Sequence, residues 1–165
     1  MIIQNALLTK IYKKNNYIKM KHIKLFEAFV NEGKVDAKAF EDEFASVVFT
    51  IEDRIGKNLR NNQVAQVLVV AFEEVCKLNK FKEVSHLLPT ALEKVDIDFD
   101  PGFKKGYASA EARGFAHNMV DATGGTWPGI IECFEALFIT FAGVQPRKAK
   151  LMFSHLTSWF NASTK

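Results

Sequence analysis

Apolar residues recur along this chain at intervals of three and four, the repeat that lines one face of an α-helix. No stretch alternates apolar with polar residues as a half-buried strand would. In residues 21–31, Ile23, Phe26, Phe29 and Val30 predict a helix that Gly33 ends. Phe40, Phe44, Val47, Val48, Ile51 and Ile55 then trace a second apolar face, closed by Gly56. Asp36 precedes it where a short carboxylate can accept the free amides of a first turn, and Val35 and Phe40 have the spacing of a hydrophobic staple. Asn61 and Asn62 open the next element. Residues 64–72 are apolar apart from Gln66, and the pattern continues through Glu73, Glu74, Val75 and Leu78, so its length predicts a buried helix rather than a strand.

Residues 81–88 predict a short helix. Pro89 breaks it or begins the next, which runs to about Val95. Residues 96–102 (DIDFDPG) read as a loop. From about residue 104 to 122 the chain is rich in small residues: Gly106, Ala108, Ser109, Ala110, Ala112, Gly114 and Ala116. Glycine weakens a helix by about 1 kcal/mol relative to alanine, so a helix that keeps it is expected to pack closely against another backbone and to bend near Gly114. Gly124 and Gly125 predict a turn with Thr126 as cap. A helix to Ala142 follows, with Ile130, Ile131, Phe134, Leu137, Phe138 and Phe141 inside it. Gly143 ends it, and Pro146 suits the first turn of a last helix through Leu151, Met152, His155, Leu156, Trp159 and Phe160. The expected fold is all-α, a single-domain bundle of about seven helices with no sheet and no linker that would divide it.

Composition adds an apolar surplus. Fifteen of the 165 residues are Phe, enough to fill a core and leave apolar surface for a partner. Cys76 and Cys133 lie far apart inside apolar stretches, which favours reduced, buried thiols over a disulfide or a nucleophile. No secretory signal is legible. The most apolar segment, residues 130–144, is too short to span a bilayer and carries Glu132 and Glu135. The expected location is cytoplasmic, or the interior of a particle.

The net charge of +3 conceals an asymmetry. Lys10, Lys13, Lys14, Lys19, Lys21 and Lys24 crowd residues 1–24, which hold no acid, while the remainder is mildly acidic. Such an arm suits weak contact with nucleic acid, an anionic surface or the acidic body of a neighbouring copy. Tyr12 and Tyr17 add stacking groups, but arginine is absent, which argues against base-specific reading. A solvated tail is the plainer interpretation.

Few residues carry legible chemistry. Asp96, Asp98 and Asp100 have the alternation of a calcium loop, but Pro101 stands where its glycine belongs and Tyr107 where a bidentate glutamate is required. Glu83 and His86 form one ExxH, half of the paired set that a di-metal bundle uses. His117 and Asp121 share a helix face, and the carboxylate could orient the imidazole as a base. His86, His117 and His155 are the available haem ligands of a Phe-rich helical chain, with no spacing that favours one. The ATGGT turn at residues 122–126 precedes a helix N-terminus but lacks the lysine of a phosphate loop. These readings lead to no expected cofactor and no metal.

The stretch MKHIKLFEAFVNEG, Met20–Gly33, resembles the N-termini of small proteins of tailed phages and of AT-rich marine or Bacteroidetes-type genomes. The resemblance implies a phage-encoded structural or accessory protein whose body spans residues 20–165. Residues 1–19 would then be a basic extension, disordered or loosely helical. The expected function is a non-enzymatic helical interaction or structural protein, oligomeric or virion-associated, working through a protein partner or self-association. The alternatives are a small-ligand- or nucleotide-binding accessory protein, such as a counter-defence factor, and an enzyme using His117 and Asp121.

Overall fold

The computed structural model describes residues 37–79 and 81–163. The helix foreseen over residues 21–31, the cap at Asp36 and the six N-terminal lysines lie outside the described residues. Among the described residues the chain is helical, without strands. Six helices have eight residues or more: α1 (Ala37–Ile55), α2 (Asn61–Leu78), α4 (Leu87–Lys94), α5 (Ser109–Thr123), α6 (Trp127–Phe141) and α7 (Pro146–Ser163). Between α2 and α4 lies a single turn, α3 (Lys82–Ser85), and a 3-10 turn (Lys105–Tyr107) leads into α5.

The central helix is α2. Eleven of its eighteen residues are buried, because it meets α5, α6 and α3 on different sides. Helix α1 lays Phe40, Phe44, Val47 and Ile51 against α5 and α6, the face that the heptad-like spacing marks out. Helices α3 and α4 pack on α7, which also lies along α6. Edge-to-face aromatic pairs tie these layers together: Phe44 with Phe115 and with Phe141, and Phe72 with Phe134. At one end Trp127 stacks flat on Phe160, with ring centroids 4.2 Å apart, and its indole N–H donates to Thr157 Oγ1 at 3.3 Å.

Three local expectations are corrected. The break between the short helices falls at His86, not Pro89. Proline sits in the first turn of α4, where its missing N–H has no helical partner to lose. The small-residue segment is not one helix from residue 104, since the 3-10 turn intervenes. Close approach there is made by Ala108, Ala112 and Ala116, four residues apart and fully buried where α5 runs along α2. A β-carbon on Gly106 or Gly114 would meet only open space, so neither glycine serves that packing. Thr126 precedes α6 without a side-chain cap bond, and its hydroxyl donates back to Thr123 O.

Candidate functional site

The described residues form an open cleft of about 340 Å³, lined by both polar and apolar groups, where three element ends converge. Asn61 and Asn62 from the start of α2, Asp96, Ile97 and Asp98 from the loop after α4, and residues 142–145 with Lys148 from the α6–α7 junction line it. The loop is anchored by backbone chemistry. Asp96 N–H donates to Glu93 O and Ile97 N–H to Leu92 O, the bond pair that closes a helix with a left-handed residue, and Asp96 has φ 60°. Aspartate tolerates that region better than most side chains.

The cleft takes up two of the three acidic loop residues and excludes the third. Asp100 is bound into the protein: its carboxylate accepts from Gly102 N at 2.9 Å, Gln63 Nε2 at 2.8 Å and Arg60 Nη2 at 2.9 Å. Gln66 brackets the Asp100 backbone, donating to its carbonyl at 3.0 Å and accepting from its N–H at 3.1 Å. The Gly102 amide, then Gln63, hold the Asp100 carboxyl below its ordinary value, with Arg60 adding to the effect. No group of three His, Cys, Asp or Glu among the described residues is placed to hold a metal ion.

The remaining sequence candidates are dispersed. His117 and Asp121 both lie exposed on the outer side of α5. Glu83 and His86 are exposed, Glu83 within the single turn of α3 and His86 at the break that ends it, so no continuous helix aligns them. His155 is half-buried and stacks on Trp159 at 5.9 Å. Cys76 and Cys133 are free and buried, and burial, with Glu73 nearby, pushes the Cys76 thiol up to about 12.

A basic helix end borders the cleft. Helix α7 (PRKAKLMFSHLTSWFNAS) holds no acid, and Arg147, Lys148 and Lys150 fall in its first turns. Cations there oppose the helix dipole, each at a cost of about 0.3–1 kcal/mol. Elsewhere Arg54 pairs with Glu111, Arg60 with Asp100, Lys77 with Glu74 and Lys105 with Glu73. The three α7 cations have no ion pair among the described residues. Beside them Leu151 is 49% exposed, more than Phe49, Leu78 or Tyr107. Sequence reasoning passed over this end because the six N-terminal lysines dominated the charge pattern. The signal was present in the run PRKAK, which no acid balances.

The chain matches no family model, no curated protein and no solved structure. Among the described residues no helix is long and apolar enough to cross a membrane.

Proposed function

We propose that this is a non-enzymatic helical interaction protein that works through the solvent face of α7. The supporting observation is the exposed Leu151 flanked by Arg147 and Lys150, cations placed against the helix dipole with no ion pair among the described residues. Local rules are broken where function compensates for the cost, and an apolar residue within a charged rim is the usual make-up of a protein-binding patch. Virion association belongs to the same reading and draws on the resemblance of Met20–Gly33.

A photo-crosslinking residue at position 151, with a control at position 57 on the α1–α2 turn, tests the proposal in cells that make the protein. The expected result is a discrete adduct at 151 that Arg147→Glu/Lys150→Glu abolishes. Labelling at 151 no greater than at 57 would overturn it.

A second reading, small-ligand binding, is favoured by the cleft between Asn61, Asp96, Asp98 and Lys148. It brings carboxylates and an ammonium to one opening, suited to a small zwitterion. Native mass spectrometry of the purified chain tests it. Retained mass that Asp98→Ala/Lys148→Ala removes is expected, and bare chain in both proteins argues against it.

A further inference from the structure

The α6–α7 hairpin presents both signs of charge to solvent, in an order that has its own symmetry. Phe138 of α6 and Phe153 of α7 meet in the seam between the helices, with ring centroids 5.7 Å apart, and so fix the register of the pair. The two helices are antiparallel neighbours joined by a four-residue turn. Glu135 and Lys150 each lie three residues before their phenylalanine, and Glu132 and Arg147 each lie six before. At 1.5 Å per residue these offsets are about 4.5 Å and 9 Å. Because the helices run in opposite directions, the acids fall on one side of the phenylalanine level and the cations on the other. Three residues back also turns a side chain about 60° from the seam. This brings Glu135 and Lys150 toward the solvent side, where Glu132 and Arg147 are exposed. None of the four has an ion pair among the described residues. The half-buried Ile139 stands nearer the middle of this face, while the exposed Leu151, two residues before Phe153 and so about 160° from the seam, marks its outer edge on α7.

We infer that the partner of this face is a second copy of the same chain, related by a two-fold axis that lies in the plane of the face at the level of Phe138 and Phe153 and runs oblique to both helices. Such an axis exchanges the acidic corner on α6 with the basic corner on α7. It brings Arg147 of one copy opposite Glu132 of the other and Lys150 opposite Glu135, twice over, with Ile139 near the axis. A two-fold interface requires a self-complementary surface of this kind. A nucleic acid or an anionic bilayer would gain Arg147 and Lys150 but be repelled by Glu132 and Glu135 on the same face. Residues 37–163 as a whole, with fourteen Lys and Arg against sixteen Asp and Glu, add no attraction for a polyanion. Two helices of this length cover about 500 Å² per copy, or about 1,000 Å² in all, the low end for a specific interface. A dimer held by a face of this size and by exposed charges is expected to be weak and salt-sensitive.

The inference rests on the proposed binding role of α7, and the crosslink at position 151 separates the two. An adduct of twice the chain mass supports both. An adduct with another protein leaves the role standing and overturns the dimer, and no adduct removes both. Sedimentation velocity of the full chain, from low micromolar to several hundred micromolar, is the decisive measurement. A monomer–dimer equilibrium that half-molar salt weakens is expected. Arg147→Glu/Lys150→Glu and Glu132→Lys/Glu135→Lys should each weaken it at least about tenfold, and the quadruple exchange should restore it to within a few-fold. A monomer throughout, or a dimer indifferent to salt, would overturn the inference without any substitution. So would a quadruple variant that is folded by circular dichroism yet stays monomeric. If the acid-to-lysine variant alone loses thermal stability while the unaltered chain is monomeric, the face is covered by the chain's own N-terminal residues instead.

Discussion

The amide nitrogen of Asn61 stands 2.6 Å from the point that a β-carbon on Gly143 would occupy, and Asn79 Oδ1 stands 2.6 Å from that of Gly125. The two asparagines mark the ends of α2, and the two glycines flank α6. The two asparagines are eighteen residues apart and so are the two glycines, so the antiparallel α2 and α6, of eighteen and fifteen residues, come into close contact at both ends.

Gly143→Ala should therefore be costly. Its φ of 66° is left-handed, and its β-carbon would collide with the Asn61 amide. The conformational part alone is about 1–2 kcal/mol. Urea denaturation of Gly143→Ala, Asn61→Ala and the double variant should show the clash relieved in the double and the conformational cost retained. Additive losses would mean that the two side chains do not compete for the same space.

Two positions in α5 should respond with opposite signs. Gly114 is exposed with open space around its missing β-carbon, so Gly114→Ala should stabilise the fold by about 0.5–1 kcal/mol. Ala112 is fully buried on the side of α5 that runs along α2, so Ala112→Leu should cost about 1–3 kcal/mol through overpacking. Thermal melts of the two variants read both signs.

The Asp100 latch predicts an acid-sensitive contribution to stability. The folded carboxyl lies below its ordinary value of 3.8, held there first by the Gly102 amide. A depressed folded value contributes stability that is present above the unfolded value and lost as pH falls through the folded one. Asp100→Asn should thus be less stable than the unaltered chain at pH 6, with the difference closing in strong acid. A difference that persists unchanged at low pH would place the effect in packing rather than in ionisation.

The Cys76 thiol is pushed up to about 12 by burial and by Glu73. At pH 8 its thiolate fraction falls about a thousandfold below that of an unperturbed thiol, and thiolate is the reactive form. A disulfide reagent should label it only after denaturant is added. The raised value also contributes stability present below the unfolded value and lost as pH rises toward 12. Rapid labelling of the folded chain at pH 8 would contradict this burial.

Local pattern carried the helices. The spacing of Phe40, Phe44, Val47 and Ile51 marked the buried face of α1, and Gly56, Gly143 and Pro146 marked helix ends, because apolar periodicity and backbone permissiveness are written in neighbouring residues. What lay between distant residues was not legible. Asp100 has the alternation of a cation loop but not its glycine or glutamate, and nothing nearby in sequence points to its partners: Gln63 and Arg60 on the carboxylate and Gln66 on the backbone, all more than thirty residues earlier. Gly114 read as a packing residue, whereas three alanines on the other side of the helix do that work. The order of charges about Phe138 and Phe153 has no meaning along the chain and acquires one only when two antiparallel helices set a register. By itself the sequence determined that this protein is helical and where its helices end. Only the tertiary structure decided which polar groups satisfy one another, because hydrogen bonds and ion pairs depend on distance in space, which the order of residues does not record.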